Sequence, residues 1–203
     1  MSTGRPRATS RDTIAEAACE LFLEQGFAGT TVADITRRAG VSRSSFFNYF
    51  TSKSDVLWAG LDSRIAALVE RLANDAVADA VASVTAAVRD LGAGFAPDSL
   101  ALAIVHAEAM GLGDEIEREA ALRRSRIAVA IAHRLRVAGM STLRAEVAGA
   151  AHAGAVLAAI EAWAHAGAGG GPVAPILEEA LDAAAVTLGD GGATSRSGGS
   201  ALP

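Results

Sequence analysis

Residues 39–55 read AGVSRSSFFNYFTSKSD. This stretch places Phe46, Phe47, Tyr49 and Phe50 within five positions of a chain that is only 4 % aromatic, beside three serines and an arginine. Gly40 stands between two short helical patterns, where a sharp turn needs left-handed backbone angles that a β-carbon penalises. Ile35 and Ala39 before the turn, and Phe46 and Tyr49 after it, are placed to point inward. Apolar residues at these offsets hold two helices at a crossing of roughly 90–120° and leave the second exposed along one side. Residues 32–50 therefore predict a helix-turn-helix whose second helix, Ser42 to Tyr49, shows Ser42, Arg43, Ser44, Ser45, Phe47 and Asn48 to the outside. Arginine and asparagine can make bidentate contacts to guanine and adenine edges in a major groove. Short serine side chains let a helix come close to phosphates.

Working outward, Ile14, Ala17, Ala18, Leu21 and Phe22 recur at spacings of three and four. They predict a first helix from Arg11 that Gly26 ends. Thr31, three residues before Asp34, marks a capping box that opens a second helix. Ser42 caps the third. Ser52, three before Asp55, opens a fourth that runs to about Ala73. Further helices are expected over 77–91, 98–110, 115–138, 142–166 and 173–188, about nine in all, with LGAGFAP, GLGD, AGMS and AGAGGGP as breakers. The fold class is all-α: a flexible basic arm (1–9), a three-helix head (10–54), a larger helical bundle (55–188) and a disordered Gly/Ser-rich tail (189–203).

Hydrophobic residues make up 51 % of the chain, largely as alanine, which favours closely packed helices. A lone cysteine, Cys19, excludes an internal disulfide and fits a reducing cytoplasm; in helix one it reads as a small buried apolar residue. The start, MSTGRPRATSRD, has no apolar run of the kind a signal peptide needs. The most apolar stretch, Val147 to Ile160, is shorter than the about 20 residues of a membrane span. Residues 1–54 carry seven Arg/Lys against five Asp/Glu, a net +2, whereas residues 55–203 carry eleven against eighteen, a net −7. A mildly basic head on an acidic body assigns two jobs to two regions.

The blocks IAEAACELF (14–22), GFAGTTVADI (26–35), AGVSRSSFFNYF (39–50) and SKSDVL (52–57) together resemble the DNA-binding domain of the tetracycline-repressor (TetR) family. The resemblance covers residues 10 to about 57 and implies roles for single residues. Phe46 and Phe50 would be core residues of the head. Position 47 is commonly a tyrosine reaching the DNA backbone; Phe47 lacks that hydroxyl and keeps only apolar contact with sugar or a thymine methyl. Lys53 would touch a phosphate, and Thr31 opens a helix whose amide end can receive another. Arg5, Arg7 and Arg11 would add arm contacts. The resemblance also implies a homodimer through residues 142–188, a palindromic double-stranded operator and release by a small-molecule effector. Its pocket would be lined mainly by aliphatic residues with Phe95, His106, Met110 and Trp163, which favours an apolar or amphipathic effector. The Phe-Phe-x-Tyr-Phe variant resembles a subgroup with acyl-thioester effectors.

Outside the head the sequence offers no chemistry of its own. His106, His133, His152 and His165 have no ligand spacing: the last two are thirteen apart and so about 140° apart around one helix. No metal, cofactor or catalytic residue is expected, and the reading is of a ligand-responsive repressor, not an enzyme. The alternatives are an activator of the same fold or a helical-bundle enzyme with an accessory DNA-binding head. Two body features stay open at this level. Arg123, Arg124 and Arg126 either decorate a charged helix, with Glu119–Arg123 as an i, i+4 pair, or meet an anionic ligand. The small-residue stripe Ala145, Gly149, Ala153 suits either packing within the chain or a tight contact between subunits.

Overall fold

The computed structural model describes residues 10–96, 98–167 and 171–189, apart from the side chains of residues 10, 98 and 186–189. Ten helices make up the described residues: α1 (Ser10–Gly29), α2 (Val32–Ala39), α3 (Arg43–Phe47), α4 (Asp55–Asn74), α5 (Ala80–Gly92), α6 (Asp98–Val105), α7 (Ala107–Met110), α8 (Gly113–Val137), α9 (Thr142–Ala166) and α10 (Ala174–Gly189). The arm at 1–9, with Arg5 and Arg7, and the tail from residue 190 lie outside them.

Local signals set most boundaries. Gly26, at φ 77 and ψ 160, breaks the helical run inside α1. Thr31 and Asp34 form the reciprocal capping box of α2, and Gly40 ends that helix at φ 67. Ser52 and Asp55 also bond reciprocally: the Ser52 hydroxyl accepts from Asp55 N at 3.1 Å, and Ser52 N donates to the Asp55 carboxylate at 3.2 Å.

Two expectations are corrected. The segment 98–110 is two helices, which makes ten in place of about nine. The chain departs from helical angles at His106 (φ −108, ψ 22), and the break turns α7 onto α1 so that Met110 and Leu112 are fully buried. The third helix stops at Phe47, with Asn48 as its C-cap. Tyr49 therefore leaves the helical register and is 48 % exposed instead of facing inward.

The head core is Ile14, Ala18, Phe22, Ile35, Phe46 and Phe50. It runs without interruption into the body through α4, whose Leu57, Trp58, Leu61, Ile65, Leu68 and Leu72 are all buried. Helix α8 packs on both α4 and α9. Its residues Arg123, Ile127, Ile131 and Arg134 share one face, since eleven residues turn the helix through just over three full turns. All four are buried. Arg123 reaches Asp62 on α4 at 2.5 Å, pairs with Glu119 and lies 4.3 Å over the Trp58 ring. Arg134 meets Asp75 at 3.2 Å and the carbonyl of Val77 at 2.5 Å. A buried cation thus clasps each end of an apolar α4–α8 seam.

On α9 the stripe Ala145, Gly149, Ala153 is buried inside the chain. A β-carbon at Gly149 would sit 2.5 Å from the Ala128 carbonyl oxygen of α8, so that helix crossing requires glycine. By length and composition α9 could cross a membrane, with a mean hydropathy of 1.4, but half of that apolar window is buried between its neighbours. Helix α10 closes the bundle against α9 and α5. Its entry is fixed by Val173 N donating to Phe95 O at 2.8 Å and by Trp163 Nε1 donating to Gly171 O at 2.8 Å.

Candidate nucleic-acid interface

Helix α3 is only five residues long, too short to persist without support. Its N-terminus is held by Ser42, whose side chain accepts from Ser45 N at 3.0 Å. The hydroxyls of Ser44 and Ser45 lie 2.8 and 2.9 Å from that same oxygen. Packing supplies the remainder. Phe46 is fully buried and meets Phe50 at a ring separation of 5.4 Å. Phe47, the next residue, is 50 % exposed and touches Phe46 edge-on at 5.3 Å. Neighbouring rings thus divide the work: one anchors the helix and the other stands outside.

The open side of α3 carries Arg43, Ser44, Phe47 and Asn48, all exposed, with Ser45 half-buried. Neither Arg43 nor the Asn48 side chain has a hydrogen-bond or ion-pair partner among the described residues. The neighbouring charges behave otherwise. Arg38 on α2 bonds Glu20 at 3.1 Å and Glu24 at 2.6 Å, which ties α2 to α1. Arg37 bonds Asp34 at 2.6 Å. The Thr31 hydroxyl and amide, with the Arg37 guanidinium, hold the Asp34 carboxyl down at about 2, so the cap acceptor stays ionised at neutral pH. Carboxylates near the interface are therefore matched by cations of α2, while Arg43 remains unneutralised.

Lys53 has an occupation that the sequence did not signal. Its ammonium donates to Phe27 O at 2.5 Å and Thr30 O at 3.0 Å, and lies 4.1 Å over the Phe27 ring. Partial burial pushes its pKa down. It fastens the α1–α2 turn to the start of α4, and one of its three protons is left for an outside acceptor. Arg11 sits half-buried in the first turn of α1. Cys19 is buried, which raises its thiol pKa.

Of the four residues named for an effector pocket, Phe95 and Trp163 both bond the segment leading into α10, while His106 and Met110 flank α7. Phe95 is buried, with the Arg64 guanidinium 4.7 Å over its ring. Trp163 is buried beside the segment leading to α10. Met110 packs between α7 and α1, and His106 is exposed at the helix break. A cleft of about 620 Å³ at the far end of the body is lined by other side chains, on α5, α8, α9 and α10. Neither its residues nor the ties of Arg38 and Lys53 were legible in local sequence patterns, because their partners are distant along the chain.

A short helix, anchored by one buried ring and showing an unpaired cation and amide on its open side, defines a helix-turn-helix DNA-binding head. Residues 14–59 match the family model for bacterial regulatory proteins of the tetR family. Among curated relatives, it is 43 % identical over 47 residues to the HTH-type transcriptional repressor DhaR of Mycobacterium sp. (strain GP1), covering 23 % of this chain and 24 % of that one. It is 42 % identical over 55 residues to the HTH-type transcriptional regulator SrpR of Pseudomonas putida, covering 27 % and 26 %. The curated relatives are matched over only 24 % to 42 % of their length. A solved structure of Thermus thermophilus FadR, a TetR family transcriptional repressor in complex with lauroyl-CoA, superposes over 95 % of this chain and 100 % of that one. The TM-score is 0.51 at 26 % identity.

Proposed function

We propose that this protein is a ligand-responsive transcriptional repressor that binds an inverted-repeat operator as a homodimer. The carrying observation is the open side of α3, where Arg43 and Asn48 are free while every described arginine of α2 is paired. In this reading residues 10–54 are the reading head and 55–188 the sensing and pairing body of a cytoplasmic protein without catalytic activity. Arg43 and Asn48 take base edges, Phe47 meets a sugar or a thymine methyl, and Ser42, Ser44 and Ser45 lie against phosphates. Thr31 and the remaining Lys53 proton take backbone phosphates, with Arg5 and Arg7 adding contacts from the arm.

Pairing through residues 142–188 uses the side of α9 turned away from α8. There Ala150 and Ala158 are exposed, with Gly154 half-buried between them, a surface that lets another helix approach closely. Two α3 helices set about 34 Å apart would then enter successive major grooves. A small apolar or amphipathic effector, such as an acyl thioester of the kind bound by the Thermus FadR, releases the operator by favouring a dimer with the wrong spacing.

The test is selection of bound fragments from a random DNA library by the full-length protein. An enriched inverted repeat, with affinity falling steeply as salt rises, is the expected result. Enrichment of no motif, with or without candidate effectors, overturns the reading.

A further inference from the structure

Helices α2 and α3 pack mainly on α1 and on each other. They therefore stand on the body by two routes, the end of α1 and the segment 48–54 that leads into α4. Each route alone makes a loose joint. The first is broken at Gly26, whose φ of 77 takes residues 27–29 out of line with the helix before them. The second is built of turns and contains no helix.

Lys53 joins the two routes. The carbonyls it bonds, Phe27 O at 2.5 Å and Thr30 O at 3.0 Å, lie where α1 gives way to α2. That stretch is itself well held. The buried Thr30 hydroxyl donates to Gly26 O at 2.8 Å, Thr30 N donates to Phe27 O at 3.2 Å, and the Phe27 ring meets Phe22 edge-on at 5.1 Å. It also reaches the body, since a β-carbon at Gly26 would lie 3.8 Å from the Met110 carbonyl oxygen of α7. On its other side Lys53 is flanked by Ser52 and Asp55, whose reciprocal bonds start α4. The Glu115 carboxylate, in the first turn of α8, adds an attractive field at the ammonium.

The residue type suits this seat. Lys53 is the one lysine of a chain with seventeen arginines. Two converging carbonyls with a ring beneath them take a compact ammonium with three protons, where a guanidinium is wider and planar. We infer that Lys53 is a positioning residue: its ammonium fixes the angle at which α2 and α3 stand on α4. In the proposed dimer that angle sets the separation of the two reading helices, and so the half-site spacing the protein accepts. One base pair more between half-sites moves one of them by about 3.4 Å and turns it by about 35°. A joint tied at two carbonyls resists that change, and a joint without the tie swings to meet it. The inference rests on the DNA-binding reading for its consequence at the operator, and not for the stiffness of the joint.

The experiment uses the full-length wild type, Lys53→Met and Phe27→Leu, the last of which removes the ring but keeps the charge. Each is titrated with the selected operator and with copies carrying one base pair more or fewer between the half-sites, over a range of salt. In parallel, spin labels at Ala33→Cys in α2 and Ala121→Cys in α8 give the head-to-body distance without DNA, on a Cys19→Ser background diluted with unlabelled protein. The wild type is expected to bind the altered spacings about tenfold or more weakly, and Lys53→Met to bind them within about threefold of its own best site. Lys53→Met should also widen the distance distribution. Phe27→Leu should move both readouts the same way with the salt slope unchanged. An equal loss by Lys53→Met at every spacing, with a salt slope shallower by about 0.9, would make Lys53 a phosphate contact only and overturn the inference. A wild type indifferent to spacing, or a Lys53→Met distribution as narrow as the wild type's, would overturn it too. If the distribution widens but no DNA is selected, the positioning role stands and the regulator fails. If Lys53→Met does not fold, Phe27→Leu decides by the same two readouts.

Discussion

Arg43 in the head and Arg123 in the body are the same side chain under opposite physical constraints. Arg123 is buried against Trp58, with the carboxylates of Asp62 and Glu119 in contact. Its charge is tolerated there only because those partners replace water. Arg43 lies in solvent, is bonded to no described residue and sits on a side of α3 without acidic neighbours of its own. Its folded-state role is negligible, so its charge is available to something outside the protein. The body uses cations to hold α8 on α4, and the head keeps one free.

The contrast can be broken in graded steps. Removing Arg123 as Arg123→Ala leaves Glu119 facing a void in the α4–α8 seam and Asp62 with Arg126 alone, at 2.8 Å, and should cost about 3 kcal/mol, read as a lower denaturant midpoint. A loss below about 1 kcal/mol would mean that the seam is not clasped there. A glycine pair on α9 separates packed from open surface. Gly149→Ala drives a β-carbon against the Ala128 carbonyl and should destabilise by about 1–3 kcal/mol. Gly154→Ala meets nothing within 4 Å and should be neutral or stabilising by up to about 1 kcal/mol in the isolated chain. If Gly154 belongs to the proposed subunit contact, the same substitution lowers the dimer's stability, and ultracentrifugation reads the difference.

A smaller effect is expected at the α2 cap. Thr31→Ala should cost about 1 kcal/mol, as loss of a helix cap does. The Asp34 carboxyl is held down at about 2 by the Thr31 hydroxyl and amide with Arg37, below the ordinary carboxylate value near 3.8. A depressed carboxylate stabilises the fold above its unfolded pKa, and that contribution disappears as pH falls from about 4 toward 2. Carboxyl NMR should give Asp34 a midpoint near 2 in the wild type, and one returning toward 3.8 in Thr31→Ala.

How much was legible follows the range of the interactions. Thr31–Asp34, Ser42–Ser45 and Gly40 are contacts within a few residues, so their types and spacing predict α2, the turn and the start of α3. Glu119–Arg123 was legible for the same reason. Tyr49 was misplaced because α3 stops at Phe47, and the position of that stop depends on how Phe46 and Phe50 pack. The stripe Ala145, Gly149, Ala153 was visible, but its partner was not: small residues show that a backbone comes close, not whose backbone it is. The tie from Lys53 to the carbonyls of Phe27 and Thr30 spans more than twenty residues and leaves no local pattern. The same applies to the cleft, where side chains of four helices meet that share no motif.

If α3 reads base edges through a cation left free for that purpose, Arg43→Ala should tell one DNA from another. The direct test compares this variant with the wild type on the selected operator and on random DNA of equal length, with thermal stability as control. The account predicts a loss of about 10- to 100-fold on the operator, little change on random DNA, and stability within about 0.5 kcal/mol. Equal losses on both DNAs, or no loss on either, would contradict it.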